Sequence, residues 1–333
     1  MIFNYEIYYY DIGVKFIFKL SFDILNLLSY ERIASFLPSA TEVLYEIGAG
    51  DQIVCVTHEC KFPEEAKRKP KVINSSFDPA RINSKEIDDK IVELIQSGRD
   101  IYIIDDKTLK EAKPDLIVAQ AVCEVCSPFT KEINRAISIL DYKPEILILD
   151  PHDLDDILIS IMDVAEKVGR IKEGRKLVAS LQNRIDSIRI RHKENKPKVL
   201  CIEWIDPFFT AGHWIPQMVE IAGGINGLGS YGQPSSRMDM DEIIKFDPDK
   251  IILMPCGFDI DRTLIEFKQS KTSNELKSLR AVQNNEIFAV DAGAYFSKPS
   301  PRTITGLEIL AKIIHPDKFT DQIVPINSFI KIK

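Results

Sequence analysis

Four-residue runs that are apolar on both faces of an extended chain recur along this sequence, and they constrain the fold more than any other feature. Ile53-Val54-Cys55-Val56, Leu116-Ile117-Val118-Ala119, Ile146-Leu147-Ile148-Leu149 and Ile251-Ile252-Leu253-Met254 are the clearest. A strand that is apolar at every position must be covered on both sides, which is the condition of a parallel sheet flanked by helices. Candidate strands span 32–36, 52–57, 115–119 and 145–149, then 198–204, 250–254 and 286–290. Helical patterns alternate with them, so the expected class is α/β with parallel, Rossmann-like sheets.

Helix starts are legible between the strands. Ser39-Ala40-Thr41-Glu42 and Asn83 with Glu86 each match a capping box, and Ser300-Pro301 offers a cap with proline at the first helical position. Between the two strand sets lies a purely helical stretch. One helix is expected over 154–168, Gly169 interrupts it, and a second runs from Ile171 to about Lys193, roughly 33 Å at 1.5 Å per residue. At 333 residues the chain exceeds most single domains. The expected division is an extension over 1–31, a first α/β lobe over 32–153, bridging helices over 154–196, a second lobe over 197–318 and a tail over 319–333. A helical bridge leaves little slack, which predicts a stiff pair of lobes.

A net charge of -7, without a Lys/Arg-rich run that could track phosphates, argues against nucleic acid as a partner, and a monomer is expected. No stretch reaches the roughly 18 to 20 uninterrupted apolar residues that span a bilayer. Residues 1–31 are aromatic and apolar but punctuated by Glu6, Asp11, Lys15, Lys19 and Asp23. They lack the basic start and small-residue cleavage site of an export signal. An interfacial anchor and an overhang upstream of the true start both remain open for them. Six cysteines are too few for a disulfide framework in a chain of this size and read as reduced thiols.

In open parallel sheets ligands bind beyond the carboxyl ends of the strands, and the unusual residues gather there. His58, Glu59 and Cys60 follow the second candidate strand, and Cys123 and Cys126 follow the third. Phe209, His213 and Trp214 follow the first strand of the second lobe; Tyr295 and Phe296 follow its last. Rings, imidazoles and thiols from both lobes describe a cleft for a large, partly apolar ligand. No G-x-G-x-x-G follows any of these candidate strands, and no G-x-x-x-x-G-K-[ST], H-E-x-x-H or G-x-S-x-G motif occurs, which removes the easiest nucleotide and hydrolase readings.

Three segments carry a specific resemblance. RIASFLPSATEVLYEIGAGDQIVCVTHECKFP, DPFFTAGHWIPQMVEIAGGING and AYFSKPSPRTITGLEILAKIIHP resemble the opening, the aromatic loop and the final helix of the cobalamin and iron-siderophore type of the periplasmic binding protein family, over residues 32–316. The resemblance implies two lobes joined by a long helix. It also implies a corrinoid or other metal chelate as ligand, an ABC transporter permease as partner, and binding without catalysis or a required cofactor. Ligand contacts are then expected from His58, Glu59, Cys60, Phe209, His213, Trp214, Tyr295 and Phe296. Docking on a permease would use one acidic residue per lobe; Asp241 matches the second, whereas the first position is Lys107, preceded by Asp105 and Asp106. A receptor of this kind works outside the cytoplasm at the membrane; without export the chain is cytoplasmic.

Other readings of the same residues stay open. Cys123, Cys126, His58 and Cys60 could together hold zinc, against the simpler alternative of thiols packed in an α/β core. Either His58 or His213 could ligate a chelated cobalt or iron, or simply bond loop backbone at the cleft rim. Glu203 and Asp206 could act as paired carboxylates, or line the cleft. A metal- or thiol-dependent enzyme, or a corrinoid-handling protein, on the same scaffold is the alternative function.

Overall fold

The structure, a computed structural model, describes residues 30–121, 130–189, 196–270 and 275–332. Strands are β1 (Ile33–Ser35), β2 (Ile53–Thr57), β3 (Lys71–Ser75), β4 (Tyr102–Ile104), β5 (Leu116–Gln120), β6 (Glu145–Leu149), β7 (Lys198–Trp204), β8 (Phe209–Thr210), β9 (Ile225–Asn226), β10 (Lys250–Leu253), β11 (Ile287–Val290) and β12 (Phe329–Ile332). Helices of the first half are α1 (Pro38–Glu46), α2 (Ser84–Gln96), α3 (Asp106–Ala112), α4 (Thr130–Ile139), α5 (Leu154–Lys167) and α6 (Ile171–Arg189). Those of the second are α7 (Ile215–Ile221), α8 (Met240–Phe246), α9 (Ile260–Gln269), α10 (Arg280–Gln283), α11 (Ala292–Tyr295) and α12 (Arg302–Ile314).

The strands form two six-stranded sheets, β4-β3-β2-β1-β5-β6 and β12-β11-β10-β7-β8 with β9 also on β7. Their interiors are parallel, as the doubly apolar runs require, and the exceptions sit at edges: β4, β8 and β12 pair antiparallel. All seven anticipated strands are present. The five that were missed, β3, β4, β8, β9 and β12, are edge or near-edge strands, exposed enough to tolerate Lys, Asn and Ser and therefore without an apolar run. The segment 319–333 is accordingly no tail: Phe319 is fully buried and β12 completes the second sheet against β11. Likewise Tyr30 and Glu31 already belong to the fold, Glu31 N donating to Asp115 Oδ2 at 3.0 Å; the rest of the extension lies outside the described residues.

The bridge is two packed helices. Gly169, at φ +69°, makes the left-handed turn that ends α5, and the 19 residues of α6 extend about 28 Å. Helix α5 packs on α1, while α6 packs on α12 and α7. One apolar core consequently runs without a break from Ile33, Leu37 and Leu44 of the first lobe through Ile157, Ile161 and Ile185 of the bridge to Met218, Ile304 and Leu307 of the second. The far face of each sheet has its own core, around Ile73 and Ile117 in one lobe and Leu200 and Ile251 in the other. A shared core on the bridge side ties the lobes together, and rotating them apart would expose it.

Helix caps agree fully with expectation in one of three places. Asn83 and Glu86 make the reciprocal capping box of α2. Ahead of α12 the cap position is taken by Pro301 rather than Ser300, although Ser300 Oγ still accepts from Arg302 N and Ser300 N donates to Thr303 Oγ1. The box at Ser39–Glu42 does not form, because α1 already starts at Pro38 with Leu37 as an uncapped N-cap. Thr41 Oγ1 donates instead to Ser35 Oγ at 2.8 Å, and Glu42 is left for another role.

Candidate functional site

The switch point of the first sheet is β1, flanked by β2 and β5, and in the second sheet β7 lies beside β10. The loops at the carboxyl ends of these strands face each other, and the two lobes touch there through three groups of side chains.

The first group gathers around the start of α2. From the second lobe Arg262 Nη2 donates to the carbonyls of Pro79 (2.8 Å) and Ile82 (3.0 Å). Glu266 Oε2 accepts from Ser84 N at 3.0 Å, and Trp204 Nε1 donates to Ser84 O at 3.2 Å. Arg237 pairs with Asp88 at 2.7 Å. Behind these contacts an aromatic and cationic wall stands on the second lobe. Trp204 and Phe258 meet at 5.3 Å, Arg262 covers Phe258 at 3.9 Å, and Arg237 lies 5.6 Å over Phe209.

The second group centres on Arg302 at the start of α12. Its guanidinium lies 4.2 Å from the ring centre of Phe62, in the first lobe, and 5.2 Å from that of Tyr295, in its own. It donates to Ala294 O and stands 3.8 Å from Glu42. Glu42 is almost fully buried and its Oε2 has no hydrogen-bond partner, so burial pushes its carboxyl upward against the pull of Arg302. Glu59 behaves in the opposite way. Burial works to raise it, but Lys61 and Lys298 outweigh that and hold the carboxyl below its ordinary value.

The third group lies beside the bridge. Leu154 N donates to Gln217 Oε1 at 2.8 Å and Tyr231 Oη to Asp153 Oδ2 at 2.9 Å. His152 and His213, one from each lobe, have ring centres 6.3 Å apart.

Of the eight expected ligand residues, the fold brings some to this seam and withholds others. Glu59, Phe209 and Tyr295 are half-buried beside it, and His213 is buried at its bridge end. Cys60 is not on the surface: its thiol is enclosed between Thr41 Oγ1 (3.1 Å) and Thr57 Oγ1 (3.4 Å). Trp214 and Phe296 belong to the shared core, joined by a 3.0 Å bond from Trp214 Nε1 to Phe296 O. An amphipathic ring followed by an apolar helix packs inward, and spacing alone could not separate it from a cleft ring. His58 stays on its own lobe, with Nδ1 3.2 Å from Ile73 O and its ring 6.3 Å from Tyr102.

The proposed zinc quartet divides in the same way. Cys123 and Cys126 lie outside the described residues, while His58 and Cys60 point into different surroundings, and no group of three metal-ligating side chains occurs among the described residues. Asp106 is exposed and paired with Arg135 at 3.1 Å; Asp241 is exposed in the first turn of α8. Glu203 does not form a carboxylate pair with Asp206. It accepts from Gly212 N (3.1 Å) and Ser235 Oγ (2.9 Å), pinning the loop that carries Phe209 and His213, and burial pushes its carboxyl upward.

Sequence reasoning placed Trp204 and Phe258 in the strand-end loops without naming them as ligand contacts, and missed Arg262, Arg302, Phe62 and His152 as seam residues. Two signals were available: Phe62 and His152 follow strands while Arg262 and Arg302 open helices, and arginines beside aromatic rings seldom serve a core. Two surface hollows lie away from the seam. One is bounded by Lys196, Pro197, Lys250 and His315 at the amino ends of β7 and β10, and the other runs along β4. Neither occupies the strand-end position where such sheets take ligands.

Comparison with known proteins places this geometry in context. The family model described as Periplasmic binding protein matches residues 33–294. A Vitamin B12-binding protein of Vibrio cholerae is 24% identical over 281 residues, covering 84% of this chain and 87% of that protein. An uncharacterized ABC transporter substrate-binding lipoprotein of Bacillus subtilis is 24% identical over 300 residues, covering 87% and 82%. The structure of the periplasmic heme-binding protein RhuT from Roseiflexus sp. RS-1 in apo form superposes with a TM-score of 0.61 at 21% identity, over 86% of this chain and 98% of that one.

Proposed function

The chain belongs to the periplasmic binding protein family, and on that premise we propose that it binds a cobalamin-like corrinoid or comparable metal chelate between its lobes and delivers it to an ABC transporter, without transforming it. The observation that carries this reading is the seam itself. Trp204, Phe258 and Phe209 from one lobe and Phe62 from the other converge with Arg262, Arg237 and Arg302 on one interface. Flat rings bury the faces of a macrocycle by stacking, and guanidinium groups suit the acidic or amide substituents that such ligands carry at their rims. Glu59 and Tyr295 stand at the same edge.

The relatives support the ligand class, being named for vitamin B12 and heme. One is named as an ABC transporter substrate-binding lipoprotein, which supports a permease as partner and a position at the outer face of the membrane. Among the described residues no helix is long and apolar enough to cross a membrane. Asp106 and Asp241, exposed on separate lobes at the first turns of α3 and α8, suit a two-point docking. In this reading the chain requires no cofactor of its own.

The test is a titration of purified protein with cyanocobalamin, aquocobalamin, haemin and a ferric chelate, followed by visible absorbance and calorimetry. One ligand per chain, held more tightly than about 100 µM and recovered unchanged, is expected. No binding by any of the four would refute the reading; recovery of a chemically altered ligand would favour an enzyme.

A further inference from the structure

His152 and His213 carry an observation that the cleft does not account for. Each has a buried Nδ1 with no hydrogen-bond partner. His213 is 9% exposed and held at φ +52°, a left-handed conformation rare for a residue with a side chain. Its backbone is fixed on both sides, N donating to Gln233 O at 2.7 Å and O accepting from Gly232 N at 3.1 Å. Native structures seldom leave an imidazole nitrogen buried and unpaired, and here two lie together, one from each lobe.

The surroundings select a cation. His152 Nε2 lies 3.2 Å from Asp150 Oδ2, which favours the tautomer protonated at Nε2 and leaves a lone pair on Nδ1. A carboxylate behind an imidazole is the usual outer support of a metal ligand. Asp153 and Asp156 stand close by, accepting from Tyr231 Oη and His152 N respectively. Burial together with Asp153, Asp155 and Asp156 pushes the Tyr231 phenol up to about 12, a sign of negative potential in this corner.

We propose that His152 and His213 form a site for one divalent transition-metal ion of the zinc, nickel or copper class, bridging the two lobes beside the helical bridge. The ring spacing matches an opposed pair of ligands and exceeds a tetrahedral pair by about 1 Å. With metal–nitrogen bonds of about 2.0–2.1 Å and each nitrogen about 1.1 Å from its ring centre, imidazoles sharing an ion stand about 5.2 Å apart at a tetrahedral angle and about 6.3 Å apart when opposed. The observed 6.3 Å lies at the wide end of that range, so a tetrahedral ion would draw the lobes slightly together. Two protein ligands leave the remaining positions to water or a small anion. Imidazole nitrogen selects borderline ions over calcium and magnesium, which prefer oxygen. The site uses none of the rings and arginines on which the proposed cleft rests.

The test uses the untagged, chelator-stripped full chain, titrated with Ni2+ and Zn2+ by calorimetry. One ion per chain is expected, with affinity at least 10-fold weaker in His152→Gln and in His213→Asn; asparagine is chosen because it tolerates the left-handed backbone. Cys123→Ser/Cys126→Ser should bind as the parent does, and a hundredfold excess of Mg2+ should not compete. Cu2+ bound to the unaltered protein should show hyperfine coupling to two imidazole nitrogens in its paramagnetic resonance spectrum, a readout that does not depend on a variant folding. Absence of saturable binding, unchanged affinity in both histidine variants, loss of binding in the cysteine variant, or a copper spectrum without imidazole nitrogen would each overturn the assignment.

Discussion

Replacing Arg262 with alanine should loosen the grip between the lobes at the start of α2. The guanidinium is about a quarter exposed and donates two hydrogen bonds across the seam, to Pro79 O and Ile82 O. Hydrogen bonds from a charged donor contribute about 1.5–3 kcal/mol each, and water will replace part of that at a half-open rim, so the loss to closure is about 2–3 kcal/mol. The stacking of Arg262 on Phe258 does not enter this sum, since both residues stand on the second lobe. At 1.36 kcal/mol per tenfold, the population with parted lobes should rise about 30–150-fold. The assay is amide hydrogen exchange of the peptide covering 79–88, because Ser84 N is bonded to Glu266 only while the lobes touch. Its exchange should accelerate by that factor, while strands β5 and β10, buried within single lobes, should keep their protection. Unchanged exchange over 79–88 in a folded Arg262→Ala protein would refute the idea that these contacts govern closure.

Other expectations follow from the same geometry. Phe319→Ala should cost about 3–5 kcal/mol in a denaturant titration, since the ring is fully buried, whereas a residue in a true tail would cost almost nothing. Glu42 and Glu203 both have carboxyls raised above 4.5 by burial, so the stability they contribute is fully present below that value and is lost as pH rises through their folded pKa. Glu203→Gln should therefore decline less than the parent in melting temperature between pH 4.5 and pH 8; an identical decline would contradict the assigned burial. In Gly306→Ala the added carbon would lie 2.4 Å from Tyr295 O, forcing α12 off the turn that presents Tyr295 and Arg302. A destabilisation of about 1–3 kcal/mol and weaker ligand binding are expected together, by thermal melting and by the titration described above.

The sequence is informative about this protein where burial is symmetric. Ile53–Thr57 and Lys250–Leu253 are buried on both faces because helices cover both sides, whereas Glu145–Leu149 carries the same kind of run at a sheet edge and leaves Ile148 48% exposed. Phe329–Ile332 and Tyr102–Ile104 are just as much strands, yet each has one free edge, is only partly buried and is too short to show a period, so the pattern weakened to that of a loop. The same asymmetry governs the site. The strand-end loops were correctly located, but Trp214 and Phe296 turned inward while Trp204 and Phe258 stayed at the seam. An aromatic residue after a strand has two apolar destinations, the core and the cleft, and local spacing does not distinguish them.

By itself, the sequence determined the two parallel sheets, the helical bridge with its break at Gly169, and the family to which the chain belongs. These follow from local periodicity, capping and contiguous motifs, which act over a few residues. Which side chains meet was decided only in the tertiary structure. Arg302 reaches Phe62 and Glu42, and His213 comes to lie beside His152, across separations of 61 to 260 residues that no short-range pattern encodes. Those partners are set by how the bridging helices pack the lobes on one shared core, and a core is a property of the whole chain.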